Sequence, residues 1–485
     1  MKKLTDILKN TPVREVCGDT AAAIGGLVYD SRAVKPGDCF FAVPGTQSDG
    51  HDYIPIAVEK GAAAIVCERM PADAAEGVAY VLVGDSAGAM ADMAAAFYDY
   101  PSRELKLVGI TGTNGKTTTA TLLYDLVRAM GYKAGLISTV VYKIDGREVE
   151  ATHTTPDSIR LNAMMREMAD AGCAYCFMEC SSHAIVQERT RGLDFAGGIF
   201  SNITHDHLDY HKTFAEYIRA KKLFFDGLPK GAFALTNADD RNGRVMVQNT
   251  AAAVSAYSLR AMADFRCKIV EMHLDGMLLR IDGQELWVGL LGRFNAYNLL
   301  AVYGAAVLLG LDRGEVLRVL SMLHAVSGRF EKIRAANGTT AIVDYAHTPD
   351  ALENVIQTIE EIRTPAQQLI VVCGCGGDRD RTKRPEMAQI AVKYADTAIF
   401  TSDNPRHESP GAILDEMAAG LDPGARFLRI VDRAEAIRTA AMLSRPGDIL
   451  LIAGKGHETY QIIGDVKHHF DDKEEVAKAF GTLRN

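Results

Sequence analysis

The chain has 485 residues, enough for about three domains and more than one buried core. Hydrophobic residues make up 48% and charged residues 24%, ordinary globular usage that excludes a disordered chain. With 53 Lys and Arg against 62 Asp and Glu the formal charge is −9, which disfavours general nucleic-acid binding and leaves any anionic ligand to local cationic sites.

The first ten residues lack the apolar run and small-residue ending of an export signal. The most apolar long stretch, 299–311, is too short to span a bilayer and is interrupted by Tyr303 and Gly304. Nine cysteines, sparse and odd in number, fit a reduced cytoplasmic compartment. Cys173 and Cys176 have C-x-x-C spacing, but no second pair or histidine follows at zinc-finger distance, so buried thiols are expected.

Short apolar runs alternate with longer amphipathic stretches, the pattern of α/β domains. Three units are expected, 1–100, 101–332 and 333–485. The first is rich in Ala and Gly and closes on a helical stretch at 87–98, with Tyr100-Pro101-Ser102 read as a linker. An apolar strand at 105–111 then enters Gly112-Thr113-Asn114-Gly115-Lys116-Thr117-Thr118, followed by a helical pattern over 119–130 capped by Gly131. Strand, glycine-rich turn, Lys-Thr and helix is the arrangement that wraps backbone N–H groups around a phosphate. Lys116 would reach the terminal phosphates and the Thr117 hydroxyl a Mg²⁺. The spacing departs from G-x-x-x-x-G-K-[ST], because Ile110 stands at the first glycine's place and Gly109 one residue earlier.

Glu179 ends an apolar strand-like run, and 202–211 carries His205, His207 and His211. A strand-end carboxylate and a turn histidine can both ligate a metal, although Mg²⁺ takes oxygen more readily than nitrogen. The helix expected at 214–227 has an apolar stripe of Phe214, Tyr217, Ile218, Phe224 and Phe225. Lys221 falls near the centre of that stripe and Lys222 about a quarter-turn away. A lysine there either snorkels outward or loses its charge, and a neutral amine can take up CO₂.

Asn295 and Asn298 share a face at the start of a long apolar helix. A break at Ser327-Gly328-Arg329 precedes a strand at 340–344 that ends on Asp344, at the edge where ligands collect in open α/β sheets. The last unit alternates strands at 368–373, 397–401 and 448–453 with a helix at 384–395. After these strands come Gly374-Cys375-Gly376-Gly377-Asp378-Arg379, Asp403-Asn404-Pro405-Arg406 and Gly454-Lys455-Gly456-His457-Glu458. The first is no dinucleotide fingerprint, since Arg379 takes the third glycine's place. Residues 237–286 match no recognised pattern.

In order along the chain, from about Tyr29 to Glu458, these segments resemble the Mur ligase family of ATP-dependent amide ligases. The resemblance implies a three-domain α/β architecture: an N-terminal UDP-binding domain, a central P-loop ATPase-like domain and a C-terminal Rossmann-like domain. It implies that Gly112, Thr113, Asn114, Gly115, Lys116, Thr117 and Thr118 bind ATP. Asn295 and Asn298 would meet the adenine, Arg329 the phosphates and Asp344 the ribose. Thr117, Glu179, His207 and a carboxylated Lys221 (N6-carboxylysine) would hold two Mg²⁺, with Lys116, Lys221, Glu179 and His207 as the catalytic set. Tyr29, Ser31, Thr46, Gln47, Ser48, Thr154, Thr155, Ser181, Gln187 and Arg189 would hold a UDP-muramyl-dipeptide.

Arg379, Asp403, Asn404, Pro405, Arg406, Gly454 and Glu458 would hold the incoming amino acid. In this family the D-N-P-R pattern implies meso-2,6-diaminopimelate. Its extra carboxylate suits a bidentate arginine, and lysine would leave that arginine unpaired at a cost of about 10⁴-fold. The implied reaction joins diaminopimelate to UDP-N-acetylmuramoyl-L-alanyl-D-glutamate through an acyl phosphate. The expected partners are small molecules only, for a cytoplasmic monomer with no nucleic acid and no membrane span. The base for the amine is open, with His183 a candidate. Rival readings are a lysine-adding form of the same ligase, a folylpolyglutamate synthase, and a nucleotide-binding regulatory protein without turnover.

Overall fold

The computed structural model describes residues 1–481 apart from Thr46, Gln47, Thr152, His205 and His207, with backbone alone for Leu208 and Asp209. Three large sheets follow one another along the chain, as the alternating pattern predicts. The first orders its strands Val13–Cys17, Ala79–Val83, Ala64–Cys67, Cys39–Phe41 and Leu27–Val28, parallel except for the first. The helix Ser86–Phe97 begins where Asp85 accepts from Gly88 N and buries five alanines, so the Ala-rich composition becomes close helix–sheet packing. The expected linker at Tyr100-Pro101-Ser102 is instead a packed corner. Pro101–Glu104 forms a 3₁₀ turn with Pro101 and Ser102 buried, and Asp194 N donates to Ser102 Oγ at 3.0 Å. A Pro at the turn's first position and a buried hydroxyl with a backbone partner fix this junction.

The middle sheet has eleven strands, with Lys106–Thr111 inside it between Tyr175–Glu179 and Gly197–Phe200. All three are parallel and covered on both faces, so they read as continuous apolar runs. Register sets Glu179 beside Ile110 and Phe200 beside Thr111, so the strands end level with the glycine-rich turn. The helix after the turn is Lys116–Ala129, three residues earlier than the apolar pattern suggests, because buried Thr117, Thr118 and Thr119 hide its first turn. Gly131 (φ 89°) closes it as expected, with Tyr132 N donating to Val127 O.

Residues 237–286, silent in the sequence, belong to strands Ala253–Ser258, Phe265–His273, Gly276–Ile281 and Gln284–Val288, which extend one edge of this sheet. Their last hairpin turns on Asp282-Gly283, both at positive φ, the Asp-Gly signature of a two-residue turn. The third sheet orders Glu331–Arg334, Thr340–Asp344, Ile449–Ala453, Leu369–Cys373, Thr397–Phe400 and Phe427–Arg429, parallel but for the first. Asp344 pairs with Ala453 and Cys373 with Phe400, so all three loop motifs of this unit leave from one edge.

Cys173 and Cys176 are buried free thiols, and among the described residues no helix is long and apolar enough to cross a membrane. Under the third sheet, Arg433 and Asp472 form a fully buried pair at 2.7 Å, and Arg433 Nη2 also donates to Ala453 O at 3.0 Å. Asp472→Ala leaves this guanidinium without its counter-charge. The expected loss is about 3–5 kcal/mol of unfolding free energy, measured by urea denaturation. A loss below 1 kcal/mol contradicts the assignment.

Candidate functional site

The glycine-rich turn is built by its neighbours. Gly112 (φ 151°) admits no side chain, since a Cβ there would stand 1.9 Å from Ser201 Oγ. Ser201 Oγ and Asn202 Nδ2 donate to Asn114 O at 2.6 and 3.1 Å, while Thr113 N and Asn114 N donate to Asn202. With its carbonyls tied down, the turn leaves the helix's first N–H groups pointing outward, the geometry that receives an anion.

Two lysines converge on one carbonyl of this turn. Lys116 Nζ donates to Gly112 O at 2.9 Å and to Thr113 O at 2.8 Å, and Lys221 Nζ donates to Gly112 O at 2.8 Å. Lys221 comes from the helix Phe214–Asp226, is 1% exposed and lies 4.7 Å from the Tyr217 ring centre. Burial, and after it the Lys116 charge, pushes its amine well below the ordinary range. Lys222 pairs with Asp226 on its own helix at 2.6 Å, so helix geometry separates the two lysines as expected. Tyr217, read as apolar stripe, puts its hydroxyl 3.1 Å from Thr113 Oγ1.

Glu179 is fully buried. Its Oε1 accepts from Thr117 Oγ1 at 2.8 Å and Thr139 N at 2.7 Å, and its Oε2 meets no donor among the described residues. An orphan carboxylate oxygen beside a threonine hydroxyl offers oxygen donors of the kind that a hard divalent cation takes. Among the described residues no group of three His, Cys, Asp or Glu converges. His207, Thr46 and Gln47 lie outside the described residues.

On one side of this centre is a cavity of about 330 Å³ that Asn114, Gly115, Thr118, Asn298, Arg329 and Asp344 help to line. Arg329 Nη2 donates to Thr117 Oγ1 at 3.2 Å, and its guanidinium lies over the Tyr345 ring at 4.5 Å. Asp344 accepts from Phe330 N and Ala346 N, which pins the hinge to the third sheet. Asn295 does not line this cavity. Its side chain donates to Leu291 O and accepts from Asn298 Nδ2, so it orients Asn298 instead. Asp350, which sequence reading passed over, accepts from Asn114 Nδ2 at 2.7 Å and also lines the cavity.

On the other side is a cleft of about 640 Å³ between the middle and third units. Thr154, Thr155, Ser181, His183, Gln187 and Arg189 line one wall, and Arg379, Asp403, Asn404, Arg406, Gly454 and Glu458 the other. Thr155 Oγ1 donates to Glu179 O, and Arg189 Nη1 donates to Thr155 O at 2.6 Å, tying the first wall to the phosphate-turn strands. Tyr29, Ser31 and Ser48 lie outside this lining, and Tyr29 is half-exposed, with Asp157 and Arg189 among the charges acting on its hydroxyl.

In the second wall, burial and then the Arg379 charge lower the pKa of Arg406, against the opposing pull of Asp403, Glu458 and Asp378. Asp403 Oδ2 has no donor among the described residues, and a Cβ at Gly454 would stand 2.6 Å from it. Glu458, whose pKa is raised by burial and then by Asp403, accepts from Asn404 Nδ2 and Lys455 Nζ. Pro405 does not line the cleft; its carbonyl packs where a Cβ on Gly377 would be. Lys455 and Gln461, which donates to Asp403 O at 2.6 Å, were missed as site residues. Lys455 had a signal, its place inside the strand-end motif; Gln461 had none.

Comparison with known proteins agrees with this layout. Residues 23–98 match the family described as Mur ligase family, catalytic domain; 110–306 match Mur ligase middle domain; 328–456 match Mur ligase, glutamate ligase domain. The chain is 55% identical over 480 residues to the UDP-N-acetylmuramoyl-L-alanyl-D-glutamate–2,6-diaminopimelate ligase of Phocaeicola vulgatus, covering 99% of each chain. Identity is also 55% over 480 residues, 99% of each chain, to the protein of the same name from Bacteroides fragilis. A solved structure with that name superposes with a TM-score of 0.71 at 32% identity over 99% of each chain.

Two cleft imidazoles are held neutral, mainly by burial: His347 is pushed down to about 4 and His457 to about 3. An unfolded chain takes up these protons near pH 6.5, so stability present at pH 7 is lost as pH falls toward 4. Urea unfolding at pH 7 and pH 5 tests this: His347→Asn should reduce the loss by about 1–2 kcal/mol. An unchanged loss contradicts the neutral assignment.

Proposed function

Because the chain belongs to the Mur ligase family, we propose that it joins meso-2,6-diaminopimelate to UDP-N-acetylmuramoyl-L-alanyl-D-glutamate at the expense of ATP. The observation that carries this reading is the second wall of the cleft. Two arginines crowd one end, while an unpartnered Asp403 oxygen and Glu458 stand by. Diaminopimelate carries two carboxylates and two ammonium groups, and this wall offers both charges. Arg406 clamps the carboxylate that lysine lacks, and the acidic pair receives an ammonium.

ATP lies in the 330 Å³ cavity, its base end toward Asn298 and its ribose toward Asp344. Its phosphates lie over the turn, where the first N–H groups of the helix and Arg329 neutralise them. Lys116 exchanges its two carbonyl contacts for phosphate oxygens. Thr117, Glu179, His207 and a carbamate on Lys221 would hold two Mg²⁺, which would supply positive charge to the transferring phosphoryl group.

The muramyl dipeptide lies along Thr154, Thr155, Ser181, Gln187 and Arg189, with its uridine end toward Tyr29 and Ser31. Its γ-carboxylate attacks the terminal phosphorus of ATP, giving an acyl phosphate and ADP. The diaminopimelate amine, once deprotonated, then attacks the acyl carbon and phosphate leaves as the amide forms, with His183, which lines the cleft, the candidate to take the proton. The two walls belong to different units, so their approach brings amine to acyl phosphate and excludes water. In this reading 1–100, 101–332 and 333–485 each serve one substrate, in a monomer working in the cytoplasm.

Phosphate release tests the reading. It should require ATP, the UDP-muramyl-dipeptide and diaminopimelate together, with diaminopimelate favoured over L-lysine by about 10⁴-fold in kcat/KM. Arg406→Ala should remove at least about 10²-fold of that preference and leave the KM for ATP unchanged. Equal use of lysine by the unaltered enzyme, or a full preference in the variant, overturns the specificity assignment.

A further inference from the structure

Behind the second wall lies a charged pair that does not itself line the cleft. Arg384 opens the helix Lys383–Tyr394 with a fully buried side chain, and Glu408 follows the Asp403-Asn404-Pro405-Arg406 segment with a side chain 13% exposed. Neither lines the cleft, although their neighbours Lys383 and Arg406 do. Arg384 Nη1 donates to Glu408 Oε2 at 3.0 Å and Nη2 to Glu408 Oε1 at 2.8 Å, a two-pronged pairing. The arginine holds Glu408 well below the usual carboxylate range, so the pair stays charged at any assay pH.

Glu408 Oε2 also accepts from Arg381 Nη2 at 2.9 Å, and two further bonds of the pair run to the loop that carries Arg379. Arg384 Nη2 donates to Gly376 O at 3.1 Å, and Glu408 Oε1 accepts from Asp378 N at 2.6 Å, both in the loop that ends on Arg379. Glu408 itself belongs to the loop that carries Arg406. Across the seam, Arg406 Nη1 donates to Gly377 O at 2.8 Å and Gly377 N to Asn404 O at 2.9 Å. Arg406 takes φ 51°, a left-handed conformation that costs a non-glycine residue energy and persists only where the surroundings enforce it. Arg384 also donates to Glu416 Oε2 at 2.7 Å, on the helix Pro410–Ala418, away from both loops.

A buried ion pair is seldom the most stable filling for its volume. Here it joins two loops whose arginines must stand at one separation to grip one carboxylate. We infer that Arg384 and Glu408 are positioning residues that set the spacing of Arg379 and Arg406, and through it the preference for an amino acid with a second carboxylate. This rests on the diaminopimelate reading above and adds to it the residues that give the arginine pair its geometry.

The test measures kcat and KM for diaminopimelate, L-lysine and ATP on the full-length enzyme, with Glu408→Gln, Arg384→Lys and Glu416→Gln. Glu408→Gln should raise the KM for diaminopimelate about tenfold or more and shrink the preference over lysine by the same factor. Its kcat and its KM for ATP should stay within about twofold of the unaltered enzyme's. Arg384→Lys, which keeps the charge but not the fork, should fall between. Glu416→Gln should lower the unfolding temperature without moving any KM, which separates a loss of stability from a loss of spacing. If the unaltered enzyme shows no preference for diaminopimelate, the functional reading fails. If it does and Glu408→Gln keeps that preference, or loses kcat equally with both amino acids, the positioning role is overturned.

Discussion

The site is organised around one backbone carbonyl. Gly112 O receives Nζ of both Lys116 and Lys221, in a turn with no room for a side chain at that glycine. Two ammonium groups at one acceptor out of water repel each other and are poorly solvated, so the charged form of each is disfavoured. Burial lowers the pKa of both, that of Lys221 the further, and Lys221 stands at the turn whose Thr117 hydroxyl donates to Glu179. Strand register underlies this, since it sets the end of Tyr175–Glu179 level with the turn.

The same logic of unpaired polar atoms marks both sides of the centre. Glu179 Oε2, Asp403 Oδ2, Arg329 Nε and His457 Nδ1 are buried without partners among the described residues, and each lies at the cavity, the cleft or the centre between them. Other buried polar atoms, such as Arg433 Nη1 and Thr11 Oγ1, also lack partners among the described residues, but these four stand where a ligand can reach them. An overall charge of −9 is compatible with anionic substrates because Lys116, Arg189, Arg329, Arg379 and Arg406 all lie at or beside these spaces.

Much of this was legible in the sequence because it rests on local signals. The strand–turn–helix around Lys116 follows from apolar runs and glycines, and the place of Lys221 on an apolar helix face from helical periodicity, while its burial is seen only in the fold. The loop motifs of the third unit each follow an apolar strand, so their shared edge could be anticipated. Helix starts were misplaced where threonines are buried, since a polar residue inside the first turn hides the period. The four added strands of the middle sheet were missed because an edge hairpin half-exposed to water lacks a continuous apolar run, although Asp282-Gly283 marked its turn. Asn295 looked equivalent to Asn298, and only packing shows one supporting the other. The Arg384–Glu408 pair spans 24 residues and had no sequence signature at all.

The claim on which the account turns is that Lys221 is a neutral amine able to carry a carbamate. Carbon NMR of the whole protein in ¹³C-bicarbonate tests it directly. One carbamate carbon that exchanges slowly with solvent CO₂ and is absent from Lys221→Gln is the expected result. A wild-type protein that takes up no label at Lys221, with the amine titrating as an ordinary exposed lysine, contradicts it.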